Sequence, residues 1–170
     1  IFAPEIGKEL GIQEPILPEK YTPLYFCGLV LGDLSSGIVG QAFKTRKWVI
    51  FTYISAIGGL AVLYLTRNAM NLNELHGLIA TMGFFSGYTV LSFTAAAEQF
   101  GTNLRSTVAT STPNLVRASA IIFTTVFTLL KFRFGILTAA SLIGVLCISL
   151  AILSALFLSD TFGKNLDYVG

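Results

Sequence analysis

The sequence predicts an all-α protein, a polytopic membrane helical bundle with about five transmembrane helices. Of its 170 residues, 54% are hydrophobic and only 12% are charged, and the mean hydropathy is +0.74. These values exceed what a soluble domain of this length needs to fill one core. The apolar residues form long runs separated by short polar clusters, an alternation typical of repeated membrane crossings. We therefore expect one unit for which the bilayer supplies much of the solvent.

Residues 1–20 are predicted to form an external loop. The segment contains Pro4, Pro15 and Pro18 among several charged side chains, so it is too polar to cross a bilayer and too rich in proline for one long helix. One helical turn is expected around residues 5–10. The chain begins at Ile1 and lacks the basic-then-apolar order of a signal peptide, which favours a fragment or a processed piece.

Five stretches are long and apolar enough to cross about 30 Å of hydrocarbon as helices, since each residue of a helix adds about 1.5 Å. The transmembrane bundle is predicted over residues 21–158, with spans at 21–43, 47–66, 75–98, 108–130 and 135–158. The connections between them are short, so consecutive helices are expected to run antiparallel as an up-and-down bundle.

The basic residues set the predicted topology. They divide almost evenly, with Lys44, Arg46, Lys47 and Arg105 on one side and Arg67, Lys131 and Arg133 on the other. The densest cluster, at residues 44–47, stands beside Trp48 as an interfacial anchor and is assigned to the cytoplasm. The sequence thus predicts a multi-pass protein of the plasma (inner) membrane, with residues 159–170 as a cytoplasmic C-terminal tail.

Several functional classes lack the residues they require. No continuous basic face is present for nucleic-acid binding, and no HExxH, CxxC, GxSxG or Walker-type motif occurs. We therefore expect no enzymatic activity, no cofactor and no metal site. The two cysteines, Cys27 and Cys147, lie inside apolar runs and are interpreted as packing residues.

Glycine recurs inside the predicted spans. Gly28 and Gly32 are four residues apart, Gly37 and Gly40 three apart, and Gly58 adjoins Gly59, spacings that let helix backbones approach closely. The pattern has two interpretations, which are ordinary tight packing and small faces that let helices slide or rock against each other.

Three segments, in order, resemble signatures of one transporter family. The first, GIVGQAFKTRK at residues 37–47, is similar to the loop signature G-x-x-x-D-x-x-G-R-[KR]-[KR]. Gly37, Arg46 and Lys47 match it. Gln41 replaces the acidic residue, Lys44 the second glycine and Thr45 the first arginine.

The second segment, residues 97–118, resembles the link between the family's tenth and eleventh helices, with Glu98, Arg105 and Arg117 in matching positions. The third, LSDTFGKNLDY at residues 158–168, is similar to the close of the last helix in sugar-porter-like members. There Asp160 stands for Glu, and Gly163, Lys164 and Leu166 are in register. On these segments the chain resembles the major facilitator superfamily.

This resemblance implies a major-facilitator-like C-terminal half, with the chain forming the eighth to twelfth of twelve helices. It implies secondary active transport of a small solute, a sugar or an organic anion, with proton coupling as one option. In the family the solute binds between two halves that rock to expose it to alternate sides. The expected partners are the bilayer, the small-molecule substrate, and a missing N-terminal half or other membrane subunits. The alternative function is a non-transporting accessory or structural subunit of a larger complex.

Asp33 is the first candidate site residue, because it lies near the middle of the first span. An isolated charge there costs about 2.5 to 3.5 kcal/mol on insertion scales. It is interpreted either as a substrate contact or proton-coupling carboxylate, or as a structural hydrogen-bonding group between helices.

Arg117 and Asn114 are candidates in the fourth span. An arginine at that depth needs a counter-charge or water, and Asp33 is the natural partner. Alternatively the Arg117 side chain reaches the cytoplasmic surface. Pro113 is expected to begin or bend this helix.

Two further groups complete the candidate site. Arg46, Lys47, Glu98 and Arg105 gather at predicted cytoplasmic helix ends, where the resemblance implies a salt-bridge network that opens and closes an inner gate. Topology-setting charge is the alternative. Tyr88 belongs to an aromatic and hydroxyl-bearing stretch, residues 84–92, that suits a sugar ring or similar solute, unless its rings are core or lipid-facing.

Overall fold

The computed structural model describes residues 2–12, 15–67 and 70–163. Over these ranges the chain is all-helical, which confirms the predicted fold class. Its helices are α1 (Ala3–Glu9), α2 (Pro18–Ala42), α3 (Lys47–Thr66), α4 (Leu72–Ser86), α5 (Thr89–Glu98), α6 (Thr102–Phe134) and α7 (Ile136–Phe157). Five spans in the described residues are long and apolar enough to cross a membrane, with α4 and α5 together forming the third.

The helix bounds differ from the predicted spans mainly at their ends. The second span matches at 47–66, but α2 begins at Pro18 and α6 extends over 33 residues. Proline suits the first turn of a helix because its missing N–H has no partner there. Lys164 and Leu166, named in the resemblance, lie outside the described residues, as does most of the predicted 159–170 tail.

Glycines bring α2 and α4 into direct backbone contact. A Cβ atom at Gly28 would overlap the Ala80 carbonyl oxygen, and one at Gly32 would overlap that of Phe84. From the other side, Gly83 meets the Tyr25 carbonyl in the same way. Backbone approach of this kind lets transmembrane helices gain van der Waals contact without a hydrophobic driving force.

The third span is broken at residues 87–88, where the sequence predicts a continuous helix over 75–98. Gly87 is pressed against the backbone of Gly32 and Asp33 on α2. The break is a two-residue turn, and it coincides with a tertiary contact that the uniform hydropathy of the segment does not indicate.

The long helix α6 lies at the edge of the bundle. It packs against α5 and α7, and of its own residues only Phe127 is buried. The sequence predicts that Pro113 begins or bends this helix; it lies in the interior of α6 and so does not begin it, while a bend at Pro113 stays a prediction. Gly135, with φ +82°, forms the whole link to α7.

Candidate functional site

Two hydroxyls, one on α2 and one on α5, bond backbone carbonyls at the break in the third span. The Ser36 hydroxyl donates a hydrogen bond of 2.6 Å to the Gly87 carbonyl, and Ser36 is only 1% exposed. On the other side of the break, the Thr89 hydroxyl donates to the Ser86 carbonyl at 2.6 Å. Because hydrocarbon offers no water, such partners are what make a broken helix tolerable in a membrane.

Asp33 lies beside the same break. Its carboxylate interacts with the backbone N–H of Val90, in the first turn of α5. A negative charge is favoured at a helix N-terminus, where N–H groups lack partners within the helix. The Oδ1 atom is buried and has no hydrogen-bond partner among the described residues. This oxygen leaves Asp33 with acceptor capacity for a proton or a ligand donor.

Among the described residues Asp33 and Arg117 do not form an ion pair, so the first of the two interpretations of Arg117 finds no support. Asp33 packs at the contact of α2 with α4 and α5, whereas α6 packs on α5 and α7. Arg117 is exposed and donates to the Asn114 side-chain oxygen at 3.4 Å, one turn earlier. The two residues are candidate partners because their charges are opposite, but the helices that carry them, α2 and α6, have no substantial contact.

The aromatic stretch of the third span packs mainly as core. Phe84 and Phe85 pack around the Tyr53 ring, with centroids 6.1 and 5.4 Å away. Tyr88 is partly buried against the cluster that contains Ile50 and Ile54. Of the two interpretations of this stretch, the packing favours core over a solute-binding surface.

Charged and polar groups form a network at one end of the bundle, here called the Arg46 end, which comprises residues 43–47, 98–105 and 156–162. Arg46 and Glu98 form an ion pair in which the Glu98 side chain is 9% exposed and that of Arg46 22%. The pair joins the start of α3 to the end of α5. It is thus less solvated than an ordinary surface ion pair.

Asp160, which follows α7, is the second centre of the Arg46 end. Its carboxylate accepts hydrogen bonds from the Thr45 hydroxyl and from the backbone N–H groups of Arg46 and Phe162, the latter two at 3.2 Å. Partial burial alone would raise the pKa of this carboxyl. These hydrogen bonds and the Arg46 charge outweigh the burial and hold its pKa below the usual value.

The remaining predicted gate residues lie at the same end. The Lys47 ammonium donates to the Leu156 carbonyl at 2.6 Å, and the Arg105 guanidinium to that of Phe100 at 3.4 Å. Gln99 and Ser159 exchange hydrogen bonds of 2.9 and 2.6 Å. Arg46, Lys47, Glu98 and Arg105 are thus gathered at one end, while their role as a gate stays a prediction.

Sequence reasoning missed four members of this network, which are Thr45, Gln99, Ser159 and Asp160; it named Asp160 only as part of the family resemblance. The only available signal was their position next to helix ends, which many polar residues share. It also missed a cavity of about 750 Å³ near the opposite end, lined by residues of α2, α3 and α4 that include Tyr21, Tyr25 and Tyr64.

No protein-family model, curated protein or solved structure matches this chain.

Proposed function

We propose that this chain is the C-terminal part of a secondary active transporter that moves a small solute, a sugar or an organic anion, by alternating access. The observation that carries the proposal is the broken third span with Asp33 beside it. Discontinuous membrane helices place helix ends and freed backbone groups at the substrate and ion sites of many transporters. Intramembrane carboxylates likewise mark ion and proton paths.

The Arg46 end supports the same proposal as a gate. Its contacts join the α2–α3 link, the end of α5 and the segment after α7, so they tie together parts that must separate if this end opens. The exposed contacts of Lys47 and Arg105 are each weak enough to be made and broken in a transport cycle. The less solvated Arg46–Glu98 pair would require water to enter as this end opens.

Orientation and partners are part of the proposal. By the positive-inside rule, the basic residues near 44–47 favour a cytoplasmic Arg46 end. Alternating access requires a second bundle to complete the solute site, so the partner is an N-terminal half or an equivalent membrane subunit.

The test is transport by the full native polypeptide in proteoliposomes. A panel of sugars and organic anions, including glucose and lactate, is offered with and without an inward proton gradient. Uptake or exchange of at least one solute is expected, and failure of the whole panel in both assays would contradict a transport function.

The role of Asp33 has its own readout. Asp33→Asn is expected to abolish gradient-driven uptake while solute exchange without a gradient continues, because the amide cannot carry the proton. Glu19→Gln, an exposed change at the start of α2, is the matched control. If Asp33→Asn keeps the wild-type pH dependence, Asp33 is not the coupling group.

A further inference from the structure

Helix α6 carries two exposed stripes of opposite chemistry. The polar stripe consists of Thr110, Asn114, Arg117, Ile121, Thr125 and Thr128, and every one of these residues is exposed. Its spacing of three and four residues places all six on one face, over about 27 Å of helix. That length is close to the thickness of the hydrocarbon core.

The apolar stripe lies beside it. Leu115, Ile122 and Leu129 repeat every seven residues and are 69%, 64% and 64% exposed. At 3.6 residues per turn, this stripe is rotated by about 100° from the polar one. The packing contacts of α6 lie on a third side, which contains its one buried residue, Phe127. Both exposed stripes are therefore free of the rest of the described chain, and only their chemistry differs.

The polar stripe is unsuited to lipid. The Asn114 amide donates to the Thr110 carbonyl at 3.1 Å, and the Thr125 hydroxyl to that of Ile121 at 2.8 Å. These bonds satisfy donors but leave the Arg117 charge uncompensated, since no described carboxylate forms an ion pair with it. A guanidinium within a membrane helix requires water or an anion nearby.

We propose that the polar stripe of α6 lines the aqueous solute path, and that Arg117, oriented by Asn114, selects a solute that carries a carboxylate or similar oxyanion. The proposal rests on the transport function proposed above and narrows its substrate class. A guanidinium presents paired N–H donors that fit the two oxygens of such a group. The hydrogen bond from Arg117 to Asn114 uses one of five donors, which leaves the others for the solute.

The first test is the reactivity of single cysteines in the full polypeptide, in membranes, after Cys27 and Cys147 have been replaced by serine. The probe is the membrane-impermeant thiol reagent 2-sulfonatoethyl methanethiosulfonate. Ile121→Cys and Thr125→Cys are expected to react at least about tenfold faster than Ile122→Cys and Leu129→Cys, because thiols in lipid are neither hydrated nor ionised. Ile121 and Ile122 are matched neighbours, with exposures of 70% and 64%.

The second test measures charge selectivity at Ile121→Cys, one turn from Arg117. The rate with the anionic reagent is compared with that of its trimethylammonium analogue. The ratio of the anionic to the cationic reaction rate is expected to be about tenfold higher at Ile121→Cys than for a free thiol in solution, because a positive charge lies about 8 Å away. Arg117→Gln should remove this preference, and Arg117→Lys should keep it.

Each outcome bears on a separate claim. Equal reactivity of the two stripes, or none at either, overturns the aqueous path, and a preference that survives Arg117→Gln overturns the role of Arg117 as anion selector. Lactate should slow the modification of Ile121→Cys, and glucose should not. If neither solute slows it, Arg117 faces a carboxylate of a partner and its role in solute selection is overturned. These readouts require no transport, so their failure is distinct from failure of the proposed function.

Discussion

The Ser36 hydroxyl joins two helices at a point where the backbone of one of them is interrupted. It is nearly inaccessible and bonds the carbonyl of Gly87, 51 residues away along the chain. Removing the hydroxyl leaves that carbonyl without its partner in surroundings where a replacement water is scarce.

Ser36→Ala is expected to reduce the free energy of unfolding by about 1 kcal/mol, the usual size of such bonds in membrane proteins. Unfolding in mixed detergent and dodecyl sulfate micelles measures the change. Ser55→Ala is the matched control, because the Ser55 hydroxyl bonds only the Phe51 carbonyl of its own helix. Equal losses for the two variants would show that the bond across the break adds nothing.

Asp160 gives the Arg46 end a dependence on pH. Its pKa in the folded chain lies below the usual value, with burial opposing the change and the bonds from Thr45, Arg46 and Phe162 together prevailing. The ionised carboxylate therefore stabilises the folded chain at pH values above its pKa in the unfolded chain, which is about 4. This stabilisation is lost as the pH falls through the folded pKa.

Relative to Asp160→Asn, the wild type should lose stability as the pH is lowered from 6 towards 3. The quantity to measure is the difference in melting temperature between the two proteins at each pH, since the other carboxyls titrate in both. Thr45→Val, which removes one donor to Asp160, should shrink the difference. A gap between wild type and Asp160→Asn that stays constant with pH would be inconsistent with this account.

At the scale of helices, glycine positions on α2 fall into two classes. A Cβ at Gly32 would overlap the backbone of Phe84, whereas one at Gly37 would meet no atom within 4 Å. Contacts with backbone cannot be relieved by turning a side chain, so α2 and α4 would have to separate.

Gly32→Ala is therefore expected to cost about 2 kcal/mol or more, in the range of overpacked cores. Gly37→Ala, in the same helix, should be neutral or slightly stabilising because alanine is the better helix former. The stability changes of both variants are measured by unfolding in detergent and by the yield of folded protein. Comparable losses at the two positions would contradict close α2–α4 packing.

The end of α2 shows a second local feature, a Schellman motif. The Lys44 N–H donates to the Gln41 carbonyl at 3.3 Å and the Thr45 N–H to that of Gly40 at 3.2 Å. Lys44 adopts φ +51°, a left-handed conformation that favours glycine. In the loop signature that this segment resembles, Lys44 stands where glycine is usual.

Lys44→Gly is expected to stabilise the chain by about 1 kcal/mol, because removal of the Cβ relieves the left-handed strain. Lys44→Ala retains the Cβ and should bring no such gain, which separates strain from the loss of the charge. Thermal unfolding of the two variants decides. Equal stabilities would exclude strain at Lys44 as the cause.

These helices also show which features of the fold could be predicted from the sequence alone. Hydropathy predicts five spans because the length of an apolar run can be read directly from the sequence. The bounds of α3 agree with the predicted span at 47–66. The break at Gly87 could not be predicted, since the contact that accompanies it is with Gly32 and Asp33 on another helix. Likewise the basic and acidic members of the Arg46 end were identifiable by charge, but the bond of Thr45 to Asp160 spans 115 residues.

The whole molecule closes its two ends with different chemistry. At the Arg46 end the contacts are ion pairs and hydrogen bonds. At the opposite end α1 packs its apolar residues near α6 and α7, with the Phe2 and Phe127 rings 4.3 Å apart, and Glu5 pairs with Lys131. Polar contacts exchange with water at little cost, whereas apolar ones do not. If one end opens in the proposed transport cycle, this difference favours the Arg46 end.

The bond between Thr45 and Asp160 also constrains the order in which the protein can be assembled during synthesis. Chains emerge N-terminus first, so α2 and α4 can close their glycine contact while α7 is still unmade. Thr45, in the link between α2 and α3, therefore lacks its hydrogen-bond partner Asp160 until the residues after α7 are translated. Helix α7 and the residues after it therefore complete an end of the bundle that α2 and α3 began, and a ribosome stalled within α7 would leave Thr45 without its Asp160 partner.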